Sequence, residues 1–136
     1  MVISYYLAKK IFDHVFADVA YSKPTDIKVK LYSVAPSASG GGTEIVGTGY
    51  TSGGIATGVG TTPWPAVASN AAEIYYNSTS LSWTAGSTWP PIVAVGITDQ
   101  SGNLLFFESL PSAVSPASGD TVSFDAGPGG LKVSIS

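Results

Sequence analysis

The sequence predicts a mainly β fold, namely a single antiparallel β-sandwich or jelly-roll-like domain with one amphipathic helix at its N-terminus. Charged residues make up only 11% of the 136 residues, beside 16 Gly and 9 Pro, a composition typical of short strands joined by many turns. Short alternating segments recur after residue 27 without helical patterns between them, which argues against a parallel α/β fold. The hydrophobic fraction of 44% argues against disorder. We expect residues 1–22 to form a helix on or beside a β-sandwich of residues 23–136, one domain overall.

The first predicted element is a helix over about residues 4–19. Its apolar residues recur at spacings of three and four, which indicates a wide apolar stripe: Leu7, Ala8, Ile11, Phe12, Val15, Phe16 and Val19. Ser4 suits the N-cap, and Lys9 can pair with Asp13 one turn later. The stripe either packs on the domain's own sheet, which we favour, or docks on a partner.

The first predicted strand is Ile27–Val34, in which apolar and polar residues alternate. Ile27, Val29 and Leu31 share one face. The opposite face, with Lys28, Lys30 and Tyr32, is expected to be exposed to solvent. A flexible loop over residues 35–43 follows. Glycines interrupt residues 44–59, which predicts a weak or edge strand there.

A hairpin over residues 92–110 is expected at the centre of the sheet. The turn 99–102, Asp-Gln-Ser-Gly, predicts a register in which Asp99 faces Asn103. Each step back along the first strand then pairs with one step forward along the second, so that Ile97 faces Leu105. That register directs one set of side chains into the core: Val93, Val95, Ile97, Leu105 and Phe107. It also places Phe106 across from Gly96, where the ring would cover the bare backbone. The opposite face is left to the helix, a second sheet or another subunit.

The remaining predicted strands are short. They cover residues 73–76, 80–83, 121–125 and 131–135, for a total of six to eight strands. Residues 61–65 and 111–120 are expected to be turns or loops because of their prolines, serines and glycines.

Charge and composition exclude several classes of function. The chain has no Arg, and its net charge of −3 divides into +2 through residue 34 and −5 after it, which opposes nucleic-acid binding. It has no Cys, and therefore no disulfide or thiolate chemistry. The first residues do not resemble a secretory signal, and no apolar run reaches membrane-spanning length. We expect no nucleic acid and no membrane as partners.

The search for catalytic chemistry finds no convincing group. His14 is the only histidine, and a surface position on the helix explains it best. The nine carboxylates are scattered, and nothing in the sequence supports a glycosidase pair such as Glu73 and Glu108. Asn77 begins an Asn-Ser-Thr glycosylation pattern, which we interpret as a chance match. We therefore predict no enzyme, no cofactor and no metal site.

Aromatic residues are the best candidates for binding contacts. Trp64, Trp83 and Trp89, with Tyr75 and Tyr76, suit a core, a subunit interface or a sugar-stacking platform, and the sequence leaves all three open. The candidate interface or glycan contacts are Phe12, Phe16, Trp64, Tyr75, Trp83, Trp89 and Phe106.

Several segments together resemble a family of small tailed-bacteriophage virion proteins, described as tail-fibre-like. The resemblance begins with residues 3–16 (ISYYLAKKIFDHVF) and 20–25 (AYSKPT), where a short helix and a Tyr-x-x-Pro-Thr turn precede a strand. It continues through residues 42–50, 70–74, 102–107 and 119–121. The sequence departs from the family pattern after Tyr50 and at its two Trp-Pro elements, residues 63–65 and 89–91.

The resemblance implies a non-enzymatic structural protein located in the virion after synthesis in the host cytoplasm. We favour a capsid decoration, or cement, protein that bridges capsomers of the outer shell and so stabilises it. Its partners would then be the major capsid protein or other virion proteins, and it would be a homo-oligomer, with a trimer as one form. The alternative is a tail or tail-fibre component with a face that binds host-surface glycans. A hydrolase of host polysaccharide is the least favoured hypothesis.

Overall fold

The computed structural model describes residues 1–67, 74–127 and 130–134, which form one helix and eleven strands. In chain order these are β1 (Val2–Ile3), α1 (Tyr5–Phe16), β2 (Ile27–Val34), β3 (Thr43–Glu44), β4 (Ile55–Ala56), β5 (Ala66–Val67), β6 (Ile74–Tyr76), β7 (Leu81–Thr84), β8 (Ile92–Asp99), β9 (Leu104–Val114), β10 (Thr121–Phe124) and β11 (Lys132–Ser134). The prediction of a mainly β chain with one short helix is confirmed. The strands outnumber the predicted six to eight because several, such as β1 and β5, are only two residues long.

The strands form three antiparallel sheets. The main sheet has the order β1-β9-β8-β2-β3, and β4 also pairs with β2. The other two sheets are β10-β7 and β11-β6-β5. The chain neighbours β10 and β11 do not pair with each other, since β10 lies on β7 and β11 on β6. Predicted strand residues Glu73 and Ile135 lie outside the described part, as do residues 70–73 of the family resemblance and residues 128–129.

Helix α1 begins where the sequence predicts and ends three residues early. The Ser4 hydroxyl accepts a hydrogen bond from the backbone N–H of Leu7 at 3.1 Å, which confirms the N-cap. Lys9 pairs with Asp13 as expected. The helix ends because Asp18 takes a left-handed φ of 55°, after which the N–H of Val19 returns to the carbonyl of Asp13.

The register of the β8–β9 hairpin is correct at the turn and wrong beyond it. Asp99 faces Asn103 and Thr98 faces Leu104, but Ile97 then faces Phe106 instead of Leu105. Leu105 is the extra residue of a β-bulge, which shifts the pairs of residues 94–97 by one. The two consecutive leucines 104 and 105 are both buried at this bulge.

The shift changes what covers Gly96. Phe107 is its partner on β9, and the predicted Phe106 pairs with Ile97 and with Ile3 of β1. The cover comes from Tyr32 of β2 and from Leu104. Tyr32 is therefore buried, which corrects the expectation that its side of β2 is wet. A further irregularity in β9 extends this strand to Val114, into the segment that we expected to be a loop.

The core is a cluster of buried residues that draws on the helix, the main sheet and the loops. Strand β8 lies at its centre, buried along nearly its full length. The buried members are Leu7, Val29, Leu31, Ile45, Trp64, Leu81, Trp83, Ala85, Trp89, Ile92, Val95, Ile97, Leu105 and Leu131. Of the predicted inward set of the hairpin, Val95, Ile97 and Leu105 belong to it, whereas Val93 and Phe107 are only half-buried.

Candidate assembly surface

Exposed apolar side chains are concentrated at the N-terminus. Of the ten large hydrophobic residues that are exposed in the described part of the chain, six lie within the first 19 residues. Four of them belong to α1, whereas Val2 belongs to β1 and Val19 follows the helix. We call the six together the outer face of α1: Val2, Tyr5, Phe12, Val15, Phe16 and Val19. Phe12 is 60% exposed and Phe16 is 80% exposed, and their ring centroids lie 6.2 Å apart. A concentration of exposed apolar residues is typical of contact sites in soluble proteins.

Two opposite faces of one short helix explain this exposure. Leu7 is buried in the core and Ile11 packs against it, so this side of α1 covers the sheet. Phe12 and Phe16 lie on the other side, because each residue advances about 100° around a helix. The apolar stripe predicted from the sequence is therefore wider than its own domain can cover.

Backbone and side-chain bonds fix the N-terminal end of the helix to the sheet. The N–H of Ser4 donates to the carbonyl of Leu105 at 2.9 Å, and the Ser4 hydroxyl donates to the carbonyl of Leu104. The N–H of Tyr5 donates to the carbonyl of Ala38 at 2.7 Å. Since these three bonds tie the first turn to β9 and to the 35–43 loop, the outer face is held at a defined place on the domain.

Charged residues lie beside the apolar ones on α1, since Lys9, whose side chain is 73% exposed, is four residues after Tyr5 and three before Phe12. Lys9 is engaged by Asp13, and the ammonium of Lys10 lies 5.7 Å from the centre of the Tyr6 ring on the sheet side. His14 is exposed, and its Nδ1 accepts a hydrogen bond from the N–H of Tyr21 at 3.2 Å. The exposure agrees with the predicted surface position, and the bond adds a role for this histidine in the chain's exit from the helix.

A polar depression of about 240 Å³ lies beside the helix, between it and the hairpin turn. Asn103 spans it, since its Nδ2 donates to the Tyr6 hydroxyl at 3.3 Å and to Oδ2 of Asp99 at 2.8 Å. Burial, with Tyr6 and Asp99 nearby, raises the pKa of Tyr21 at its rim. Asp99 also accepts the backbone N–H groups of Ser101 and Asn103. These bonds hold the turn against the helix.

The three tryptophans proposed as contacts are interior residues. Trp64, Trp83 and Trp89 are 6%, 3% and 2% exposed. The Nε1 of Trp89 donates to the carbonyl of Thr48, and that of Trp64 to the Thr57 hydroxyl, each at 2.9 Å. Of the three roles that the sequence left open, a place in the core is the one that these positions agree with.

The other proposed contacts lie in separate places. Phe12 and Phe16 are adjacent on the outer face of α1. Tyr75 is 37% exposed on β6, in the three-stranded sheet, and Phe106 is half-buried against the core. Val2 and Tyr5 were not predicted as contacts. The signal for Tyr5 was present, since it lies seven residues, or two helical turns, before Phe12.

The described residues contain no group of three or more His, Cys, Asp or Glu that could hold a metal ion. They also contain no helix that is long and apolar enough to cross a membrane. Of the glycosidase pair considered from the sequence, Glu108 is exposed and Glu73 lies outside the described residues.

Comparison with protein families gives a match over nearly the whole chain. A family model described as Gp80, podophage GP4 fiber I protein gp80, matches residues 2–132. No curated protein matches the sequence.

Proposed function

This chain belongs to the podophage fiber I protein family, and from that premise we propose that it is a non-enzymatic structural subunit of a virion fibre, assembled through the outer face of α1. The family match confirms the resemblance to phage virion structural proteins, and with it the location in the virion. The family's description as a fibre protein supports the fibre role for this chain.

The observation that carries the proposal is the concentration of exposed apolar residues in one N-terminal segment. Scattered exposed hydrophobic residues are ordinary, but six within 19 residues form a surface that favours a protein partner. The remaining large hydrophobic residues that are exposed in the described ranges are Val34, Val46, Tyr75 and Val114, from separate parts of the chain. The N-terminal segment would therefore make the assembly contact, and the β part would project from it.

We also propose that the chain is one domain in which the main sheet and the two smaller sheets form the layers of a sandwich. Support comes from the core cluster, which includes Leu7 of α1, Val95 of β8 and Trp83 of β7, with Val133 of β11 packed against it. In such a subunit, binding of α1 to a partner would also fix the position of the sheets.

The capsid decoration role favoured from the sequence uses the same kind of surface but differs in location and copy number. A glycan-binding face built on the tryptophans receives no support from their burial. We therefore base the proposal on assembly, with other virion subunits, including copies of this chain, as the partners.

The test is to locate and count the chain in purified virions. Quantitative mass spectrometry would give its copy number, and gold-labelled antibody would give its position by electron microscopy. Tens of copies on tail fibres support the proposal. Hundreds of copies over the shell would establish the decoration role instead, and absence from virions would overturn both.

The role of the outer face is tested by complementation. Phage lacking the native gene would be grown with a chain carrying Phe12→Ser and Phe16→Ser, and we expect incorporation into virions to fall at least tenfold. The matched control carries Val34→Ser and Val46→Ser, which remove two exposed hydrophobic residues elsewhere. Equal incorporation of the two variants would contradict the assembly role of this face.

A further inference from the structure

The polar depression between α1 and the hairpin turn has the lining of a small ligand site. It combines two phenol rings, those of Tyr6 and Tyr21, with the amide of Asn103 and the charged side chains of Lys10 and Asp99. We propose that it binds a single sugar ring, which lies against a tyrosine ring and exchanges hydrogen bonds with the polar groups. The inference goes beyond the assembly role, because no residue of the outer face of α1 lines the depression.

The size of the depression suits one sugar ring. Its volume of about 240 Å³ is below the roughly 300–1,000 Å³ of pockets that take drug-sized ligands. Ser22, Gln100 and Ser101 belong to the lining and are exposed, so the depression is open to solvent. The terminal sugar of a longer chain would therefore enter it as readily as a free monosaccharide.

Several polar groups of the lining have hydrogen-bonding capacity left for a ligand. Within the described ranges, the hydroxyl of Tyr21 and the ammonium of Lys10 have no hydrogen-bond or ion-pair partner. The Tyr6 hydroxyl accepts a bond from Asn103, which leaves its own proton to donate. The Asp99 carboxylate accepts three N–H groups, whereas an ionised carboxylate accepts about four. Donors beside an acceptor suit a sugar, because each of its hydroxyl groups both donates and accepts.

The lining is held in place before any ligand binds. The rings of Tyr6 and Tyr21 pack against the core cluster. Asn103 donates to the Tyr6 hydroxyl, and the side-chain carbonyl of Gln100 accepts the N–H of Thr25 at 3.0 Å. These bonds connect the helix, the segment after it and the hairpin turn, which together form the depression. Binding therefore orders few side chains, which reduces its entropic cost.

The charges of the lining favour a neutral ligand. Lys10 and Asp99 have opposite signs, and among the described residues no other charged side chain lines the depression. An anion would meet Asp99 and a cation would meet Lys10, whereas hydroxyl groups bond to both. The ammonium of Lys10 already lies 5.7 Å from the centre of the Tyr6 ring. Tyr21 is therefore the ring on which the apolar face of the sugar packs.

The first experiment titrates the complete chain with neutral sugars and follows its backbone amides by NMR. The probes are the methyl glycosides of glucose, galactose, mannose and N-acetylglucosamine. At least one should give saturable shifts at residues 20–23 and 99–103, with a dissociation constant on the order of 1–10 mM because one ring makes few contacts. Glycerol, which has hydroxyl groups but no ring, should give no saturable shift.

Three results of this titration would overturn the proposal. The first is that none of the four sugars shifts these amides in a saturable way. The second is that glycerol shifts them as the sugars do. The third is that sodium phosphate or tetramethylammonium chloride saturates the shifts at a lower concentration than every sugar, which would make the depression an ion site.

The second experiment assigns the binding to Tyr21. Tyr21→Phe removes the hydroxyl and keeps the ring, and should weaken sugar binding by about threefold or more. Tyr21→Ala removes both and should weaken it by about tenfold or more. The matched control is Tyr5→Ala, since this ring is 68% exposed on the outer face and should leave sugar binding unchanged. Near-ultraviolet circular dichroism verifies that each variant is folded. Equal dissociation constants for the native chain, Tyr21→Phe and Tyr5→Ala would contradict the site.

Virion incorporation separates this inference from the proposed function. The sugar titration needs only the isolated chain, and Tyr21→Phe, which leaves the outer face intact, should enter virions as the native chain does. A chain that binds sugar but is absent from virions would support the site and overturn the assembly role. A chain that enters virions but binds none of the four sugars would do the reverse.

Discussion

The ring of Tyr32 on β2 lies directly over the backbone of Gly96 on β8. A Cβ atom added to Gly96 would lie only 2.7 Å from Cε2 of Tyr32 and 3.1 Å from Cδ1 of Leu104. Tyr32 is 6% exposed, so its ring has no free space into which to move. The absence of a side chain at residue 96 is therefore what allows both faces of the central strand to be covered.

Gly96→Ala should lower the free energy of unfolding by about 1–3 kcal/mol, because the added methyl group overpacks a closed site. Urea denaturation gives the value. In a Tyr32→Leu background the cost should fall by about 1 kcal/mol or more, since the ring that the methyl group meets is gone. The same cost in both backgrounds would show that Tyr32 is not the constraint.

Asn77→Ala should destabilise the chain by about 2–4 kcal/mol, because it leaves buried backbone groups unpaired. The Asn77 amide nitrogen donates to the carbonyls of Thr79 and Asp125 at 2.9 and 2.8 Å, and its oxygen accepts the N–H of Leu131 at 2.9 Å. Thermal and urea denaturation would measure the loss. The exposed neighbour provides the control: Ser78→Ala should change the stability by less than about 0.5 kcal/mol.

The same burial predicts that the glycosylation pattern at Asn77 is inert in the folded protein. The side chain is 2% exposed and all three of its bonds are internal. After expression in a secretory host, mass spectrometry should find residue 77 unmodified in the folded fraction. A folded, glycosylated product would contradict the described position of this residue.

The free energy of unfolding should fall as the pH rises above about 10, because two buried tyrosines have a higher pKa in the folded chain than in the unfolded chain. Burial, and the nearby Glu44, raise the pKa of Tyr32 to about 12. Burial also raises the pKa of Tyr50, although a bond from the N–H of Leu31 opposes the shift, and its hydroxyl donates to Oε1 of Glu44 at 2.7 Å. Because the pKa is higher in the folded chain, the stabilisation is complete below pH 10, the pKa of tyrosine in the unfolded chain. It is lost as the pH rises from there through the pKa of the folded chain.

The expected slope is about 1.4 kcal/mol per pH unit for each tyrosine. Urea denaturation at a series of pH values from 8 to 11.5 would measure it. Tyr50→Phe should flatten the decline and also destabilise the chain at pH 8 by about 1–2 kcal/mol, because Glu44 loses a donor. Tyr5→Phe, at an exposed ring, should reproduce the native profile. A stability that is constant up to pH 11.5 would exclude this account.

Ser4→Ala should detach the first turn of α1 and lower the free energy of unfolding by about 1–3 kcal/mol. It removes the acceptor for the backbone N–H of Leu7 and the donor to the carbonyl of Leu104. Hydrogen exchange by NMR should be faster in the variant than in the native chain at the amides of α1, and unchanged at those of β8. Ser22→Ala, at an exposed serine after the helix, is the control. Unchanged exchange in α1 would mean that the cap does not hold the helix to the sheet.

Local chemistry in the sequence determined much of this protein. The 3.6-residue period and Ser4 placed the start of α1, alternation placed β2 at Ile27–Val34, and Asp99 with Gly102 placed the hairpin turn. The resemblance carried by short motifs was confirmed by the family match over residues 2–132. Each of these features depends on residues that are close together in the chain, which is why the sequence alone reveals them.

Only the tertiary structure determined which side chains are buried and which are exposed. The bulge at Leu105 shifts the register of β9 against β8, and the burial of Tyr32 depends on Gly96, which is 64 positions away in the chain. The three tryptophans are interior because distant segments cover them, as Tyr50 and Phe124 cover Trp83. Phe12 and Phe16 are exposed because Leu7 and Ile11 already occupy the contact with the sheet. Local patterns show that a face is apolar, but what covers that face depends on distant parts of the chain competing for the same surface.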